Sequence, residues 1–413
     1  MATDTASEKL PQGMELSPFD EEFRQDPHPR LRTLRERCPA HRDPEFDHIS
    51  IASEELVRDK VRDHSLCVDP RKAREGDWIK NFETELEGRD PSILFLDDPD
   101  HGRLRRLIAP EFTPRRAEAR RTMVREVAEG LVAAITPDAD GTFDLMSTLA
   151  GPLPAIAIGR ILGVPEEDRE DFKEWSEISS AAFFTVPLDP ELRTRGMDAG
   201  EKLDALFLRE ISTRQESPAD DLIGKMVHLQ QEGAEISEAE LLTMCNLLLV
   251  AGNVTTSDLI GNGVRILIAH PEQWDALRAD PELMRGAIEE MLRFDPPVTV
   301  TGRIAMEELP LGDQKLAPRE SMTVLLSAAN RDPALHDEPD RFDIERGDSE
   351  HFSFGGGAHF CLGAHLARVE AQEAIRALTA RFPRLDAVAG GENWKRVPGF
   401  RGMSEFRVRV AAD

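Results

Sequence analysis

Apolar positions along this chain recur mostly at three- and four-residue spacing, the period of a helix with one buried face. That spacing predicts helices over Arg115–Ile135, Glu166–Ala182 and Asp198–Glu216. A longer helix opens on Ser237-Glu-Ala-Glu240, where a serine hydroxyl and a glutamate three residues on can each satisfy a backbone amide of the other. It runs to about Ala269, where His270-Pro271 stops it. Asp280-Pro281 starts another helix that Pro296-Pro297 ends, and a last long helix follows Gly363. Strand-like runs are short: Phe46–Ile51, Val298–Ala305, Met322–Ser327 and Phe406–Val410. The polar, Pro- and Gly-containing connections at Asp69–Pro91 and Thr185–Arg195 are long enough to be flaps over a site, or plain solvent loops. No internal repeat is visible. The pattern predicts a mainly α fold with small β-sheets, with a flexible segment over residues 1–14 and a single domain over 15–413.

Composition narrows the function classes. The chain has 413 residues and a net charge of −27, so its field repels phosphate backbones and anionic lipid, and neither nucleic acid nor a membrane is an expected partner. The most apolar stretch, Leu241–Gly252, is interrupted by Thr243 and Asn246 and is too short to span a bilayer, so it reads as a buried helix. The polar, acidic first residues do not form a signal region. Cys38, Cys67, Cys245 and Cys361 include no C-x-x-C pair and are too few for a disulfide framework, which fits a reducing cytoplasm.

The most informative stretch is Phe352-Ser-Phe354-Gly-Gly-Gly357-Ala-His359-Phe-Cys361-Leu-Gly363. A lone cysteine is ordinarily a small buried hydrophobe. Three successive glycines change that reading, because a backbone without side chains can press against something large and flat. The helix after Gly363 aims its first amides at the sulfur, which favours a thiolate. A single thiolate held by backbone donors suits an iron ligand. A phosphate-cradling loop fits poorly, since no Lys-Ser/Thr follows and no clear hydrophobic strand precedes. The run Phe354-x-x-Gly357-x-His359-x-Cys361-x-Gly363 resembles the haem-binding signature of the cytochrome P-450 superfamily, in the soluble bacterial style.

Further segments match the same family, so the resemblance covers nearly the whole chain from about residue 15. Glu290-Met-Leu-Arg293 is similar to its E-x-x-R, a spacing that puts both side chains on one helix face. Pro339-Asp340-Arg341-Phe342 resembles its second-arginine segment, which implies a buried structural triad of Glu290, Arg293 and Arg341. The resemblance implies His101, Arg105, Arg303 and His359 as partners of the two propionates of haem b, with Phe354, Gly357, Gly363 and Ala251 also against the cofactor and Cys361 on the iron. Each of these basic residues alone reads more simply as a surface charge. In Ala251-Gly252-Asn253-Val254-Thr255-Thr256, a mid-helix glycine suggests a close approach, or a helix–helix contact. Thr255 can bond back to the Ala251 carbonyl and open a groove. The resemblance makes this the O2 groove, with Thr255, Gly252, Asn253 and Thr256 as its catalytic residues.

One departure from the family stands out. The residue before the threonine is commonly an acid that serves proton delivery, and here it is Val254. A relay then has to run through Thr255, Thr256, Asn253, ordered water, Asp258 or a substrate hydroxyl. Asn253 also resembles the nitric-oxide-reducing branch, which makes N2O with electrons taken directly from NAD(P)H.

The resemblance implies a monooxygenase that hydroxylates or epoxidises a small apolar substrate with O2, two electrons and two protons. A [2Fe–2S] ferredoxin and its reductase would supply the electrons, and the protein would be a cytoplasmic monomer. Eight arginines between 103 and 125 (103, 105, 106, 115, 116, 120, 121 and 125) form a candidate docking patch, or a solvated helix face. The pocket would draw on the Asp69–Pro91 flap, Phe183–Pro187, Leu247–Val254, Pro297–Val300 and Gly399–Met403, with Asp77 and Trp78 as polar candidates. These segments are mostly apolar, and the chain has no tyrosine, which favours an aliphatic or terpenoid-like ligand. Rival readings are a haem-thiolate enzyme using peroxide or reducing nitric oxide, a haem-based sensor or carrier, and a helical protein without haem.

Overall fold

The computed structural model describes residues 10–80, 91–185, 190–347 and 350–411, apart from the side chains at 180 and 183–185. About 58% of the chain is helical. The longer helices are α1 His28–Arg37, α2 Glu54–Arg62, α3 Asp100–Ile108, α4 Arg121–Ala134, α5 Pro152–Leu162 and α6 Arg169–Thr185. They continue as α7 Pro190–Glu216, α8 Leu222–Gln231, α9 Glu238–Ala269, α10 Pro271–Ala279, α11 Met284–Phe294 and α12 Ala364–Arg381. The strands are β1 Ala40–Asp43, β2 His48–Ile51, β3 Leu66–Cys67, β4 Thr142–Asp144, β5 Val300–Ala305, β6 Leu309–Leu311, β7 Gln314–Leu316, β8 Glu320–Leu325, β9 Leu385–Trp394 and β10 Met403–Val410. They form a five-stranded sheet in the order β1-β2-β8-β5-β3, a three-stranded sheet β4-β10-β9 and the β6-β7 hairpin. Among the described residues only β2 and β8 pair in parallel.

The long helix α9 organises the core. Its capping box forms as expected: the Glu240 amide donates to the Ser237 hydroxyl at 3.0 Å, and the Ser237 amide donates to the Glu240 carboxylate at 2.8 Å. Leu259, Ile260, Val264 and Leu267 of α9 share one apolar cluster with Ala287, Ile288 and Met291 of α11 and Ala374, Ile375 and Leu378 of α12. Full burial of each large side chain is worth about 1.5–3 kcal/mol before the entropy of ordering it. Neighbours on several sides bury α9, so its apolar pattern is nearly all-round. It is long and apolar enough to cross a membrane by length and composition, yet here it runs through the protein's interior.

Several boundaries differ from expectation. The helix expected over Arg115–Ile135 breaks at Arg120, where Pro114–Ala119 ends and α4 begins. The Arg120 guanidinium donates to the Glu111 carbonyl there and pins the corner. The connection expected over Thr185–Arg195 is shorter, because α6 extends to Thr185 and α7 starts at Pro190, a residue suited to a first helical turn. Strand β9 is not predicted by the sequence pattern: it exposes Asp386, Ala387, Ala389, Gly390 and Asn393 without regular alternation and buries Leu385, Gly391 and Trp394. Residues 1–9 of the N-terminal segment and 81–90 of the flap lie outside the described residues. Gly13 is buried, and its amide donates to Asp43.

Candidate functional site

Cys361 closes a loop built from its own backbone. Its amide donates to the Phe354 carbonyl at 2.9 Å, and the Gly355 amide donates to Phe352 at 2.7 Å. Gly355 and Gly357 both adopt left-handed backbone, φ +67° and +64°, which a side chain would strain. The close approach that the glycines permit is to α2. A Cβ at Gly357 would lie 2.7 Å from the Val61 carbonyl oxygen, and one at Gly356 would lie 2.6 Å from the Val61 side chain. The amides of Gly363 and Ala364, at the start of α12, bond the Cys361 sulfur. The side chain presents surface although protein encloses it, so that surface lines an interior cleft. Burial pushes the thiol up, and the Gly363 amide, Arg105 and Arg368 pull against it without cancelling the shift. Metal coordination reverses that balance, since a coordinating thiol is deprotonated outright.

Behind the loop, Glu290 and Arg293 form the expected pair, with both side chains buried and contacts of 2.7 and 2.8 Å. Arg341 does not complete the triad. Its side chain is exposed and pairs with Glu338 and Asp343, while only its carbonyl accepts from Arg293. The third charge is Arg346, whose Nε reaches Glu290 at 3.2 Å because the chain turns back through Asp343. Asn330 ties the loop to this cluster, accepting from the Phe352 amide at 2.7 Å and donating to Ser353 at 2.8 Å. Arg368 of α12 lies 4.5 Å above the Phe354 ring and pairs with Glu289 at 2.6 Å.

Four basic side chains from three segments converge beside the cleft. The rings of His101 on α3 and His359 in the loop lie 4.1 Å apart, and the buried Nε2 of His101 has no partner among the described residues. Arg105, one turn further along α3, donates to the Phe360 carbonyl at 2.5 Å. Arg303 on β5 is only 4% exposed, yet its guanidinium finds only the Gly302 and Val61 carbonyls and the Thr301 hydroxyl. Among the described residues no carboxylate lies within ion-pair distance of Arg303 or Arg105. Burial, then His101 and Arg303, pushes His359 down to about 4. A buried cation without a counter-charge is costly. The donor set therefore fits a bound dianion such as the two propionates of a haem.

On the opposite wall, α9 turns Ala251, Gly252 and Thr255 towards open space, and a Cβ at Gly252 would meet nothing within 4 Å. The Thr255 hydroxyl donates back to the Ala251 carbonyl at 2.7 Å. Thr256 and Asn253 turn the other way, into the protein. Thr256 bonds Glu370 of α12, and the buried Asn253 Oδ1 has no partner among the described residues. Burial holds the Glu370 carboxyl well above the usual range. Pro297–Val300 lies against the β9–β10 connection: the Arg401 amide donates to Pro297 at 2.7 Å, and the Thr299 amide donates to Gly399 at 2.9 Å. Asp77 is committed to the Ser321 amide at 2.8 Å, and Trp78 packs edge-on against His48.

The family model described as Cytochrome P-450 matches residues 68–386 of this chain. The chain belongs to the cytochrome P-450 family. It is 38% identical to the cytochrome P-450 monooxygenase PikC of Streptomyces venezuelae, over 97% of this chain and 94% of that protein. It is 36% identical to the vitamin D(3) 25-hydroxylase of Pseudonocardia autotrophica, over 95% and 96%. The ligand-free crystal structure of Mycobacterium smegmatis CYP164A2 superposes with a TM-score of 0.83 at 37% identity, covering 95% of this chain and 98% of that one. This cytochrome P-450 is a monooxygenase by family, with haem b as its cofactor. Its fold is that of the family, in which the haem sits between a long distal helix and the helix after the cysteine loop.

Within that frame, three side chains went unnoticed in the sequence. Asn330 and Arg346 sit in segments with no local pattern to distinguish them. Glu370 stands among other charges in Arg368-Val-Glu-Ala-Gln-Glu373, so its burial was invisible until α12 was packed against α9. The arginine patch is smaller than its sequence suggests. Arg103, Arg116, Arg120, Arg121 and Arg125 are in ion pairs, which leaves the exposed Arg106 and Arg115 without one among the described residues.

Proposed function

We propose that this chain hydroxylates or epoxidises a small apolar organic substrate with O2, holding haem b through Cys361. The observation that carries the reading is the basic quartet His101, Arg105, Arg303 and His359 beside a cysteine at the mouth of α12, in which, among the described residues, only His101 has a carboxylate within ion-pair distance, Asp98 at 3.9 Å. These four residues hold the propionates, and Phe354, Gly357 and Gly363 shape the loop that presents the sulfur. The haem, so held, supplies the electron transfer and O2 activation. Ala251 and Gly252 leave room above it, and Thr255 is the hydroxyl placed to orient a proton there. Asn253 and Thr256, turned into the protein, act at most through their neighbours. The apolar faces of Leu247–Val254 and Pro297–Val300 exclude water and favour an apolar substrate. Electrons come from a [2Fe–2S] ferredoxin and its reductase, for which Arg106 and Arg115 offer unpaired charge. A cytoplasmic monomer fits the four free cysteines.

Val254 favours a second reading, turnover with peroxide or reduction of nitric oxide. Isotopically labelled O2 separates the two. With a ferredoxin chain, the product is expected to carry one labelled oxygen atom per NAD(P)H consumed. Full turnover from peroxide alone, or N2O formed from nitric oxide and NADH without ferredoxin, would overturn the proposal.

A further inference from the structure

A valine at the usual acid position leaves the question of where protons enter. Helical geometry narrows the answer, because residues three and four apart share a face. Ala251, Thr255, Asp258 and Asn262 lie along one stripe of α9, running from the open groove towards the β9–β10 connection. Past Thr255 that stripe is polar and buried. Asp258 is fully buried, with one carboxylate oxygen 2.6 Å from Lys395 Nζ and the other without a partner among the described residues. Asn262, one turn on, donates to the Arg401 carbonyl at 2.9 Å and also leaves its side-chain oxygen unpartnered. The backbone at Gly402 lies flat against the Asp258 carboxyl, where any Cβ would fall 2.0 Å from its carbon. Lys395 is 24% exposed, so the pair reaches from the core to solvent.

Two unpartnered acceptors a turn apart in a buried polar stripe are where ordered water is expected. We propose that Asp258, with Lys395 at its solvent end, supplies protons through such water to Thr255 and the groove above it. This rests on the O2-dependent reading given above. Each turnover takes one O2, two electrons from the ferredoxin and two protons, and leaves one oxygen in the product and one in water. At each proton step the Asp258 O–H bond breaks and an O–H bond forms towards Thr255, after which the carboxylate regains a proton from solvent beside Lys395. Burial supports the role by pushing the Asp258 carboxyl up to about 6, against the pull of Lys395. The other charges nearby are engaged elsewhere: Arg401 with Asp295, and Arg265 with Glu392. On the flank of α9 one turn beyond Asp258, the atoms nearest a Cβ at Gly261 would be those of the uncharged Met146 and Met403.

Asp258 acts through Thr255, so the test compares pH profiles and coupling as well as rate. In the holoenzyme, Asp258→Asn is expected to remove one titrating carboxyl band from the infrared difference spectrum. It is also expected to lower product formed per NAD(P)H by tenfold or more with the ferredoxin chain. Product formation driven by hydrogen peroxide, which brings its own protons, should fall less than threefold. Wild-type coupling should decline as pH rises through the titration of this carboxyl, and the variant's profile should be flat. Lys395→Gln, a milder change near the surface, should move that break to higher pH. Coupling within twofold of wild type with an unchanged profile, or equal losses with O2 and peroxide, would overturn the proposal. Failure of the underlying reading shows separately, as wild-type protein that oxygenates nothing with O2.

Discussion

Arg303 illustrates how single residues record a group they are built to hold. Its guanidinium is buried and hydrogen-bonded to neutral oxygens, and among the described residues no carboxylate lies within ion-pair distance of it, although Asp97 acts on it from further away. Replacing such a charge with an apolar side chain of similar length removes a desolvation cost from the empty protein and a partner from the filled one. Arg303→Met is therefore expected to stabilise the apoprotein by about 1 kcal/mol or more and to weaken haem binding at least tenfold. Thermal unfolding of the apoprotein and haem titration check the two halves, and haem affinity within twofold of wild type contradicts them. At this scale the sequence was legible where chemistry is local. Cys361, His101 and Thr255 were picked out by their match to the family's motifs rather than by any single residue, and the Thr255 bond to Ala251 formed as expected. Orientation was not legible. Whether Thr256 faces the groove or Glu370 depends on how α9 is rotated against α12, and no local pattern encodes that.

Elements matter here through the contacts that hold the cysteine loop. Glu289 on α11 braces Arg368 on α12 at 2.6 Å and His351 at 3.2 Å, joining the two helices that bracket the loop. Burial alone would raise this carboxyl, but His351 and Arg368 win and hold it near 2. A folded value below the unfolded 4.5 means stability that is present above about pH 4.5 and lost as pH falls towards 2. Glu289→Gln is expected to cost up to about 3 kcal/mol at neutral pH and progressively less below pH 4.5. Denaturant unfolding at pH 7 and pH 3 measures this, and an equal cost at both contradicts it. Helix existence was legible from period and caps, as at Ser237–Glu240, while the break at Arg120 and strand β9 were not. The first depends on the Glu111 carbonyl from a neighbouring turn. The second is a strand whose pairing with β10, not its own pattern, defines it.

For the molecule as a whole, the segments that frame the site lie far apart in sequence: α3, β5, α9, the cysteine loop and the β9–β10 connection. Their meeting at one cleft follows from α9 and α12 packing through a shared apolar cluster, with β5 paired to β8 at the edge. The spaced residues of the cysteine loop pointed to that arrangement, and the comparisons place the chain in the family that has it. The charge triad behind the loop was legible only in part, because Arg346 replaces Arg341 through a turn that no spacing rule describes. Cys361 as the thiolate ligand is the feature on which the site's chemistry depends. Its most direct test is the absorption spectrum of the reduced, carbon monoxide-bound holoenzyme, recorded for wild type and for Cys361→His. The expected result is a strongly red-shifted Soret band in the wild type that is lost in the variant while haem is retained. A wild-type band at the ordinary histidine-ligated position, or a red-shifted band that survives the substitution, would contradict it.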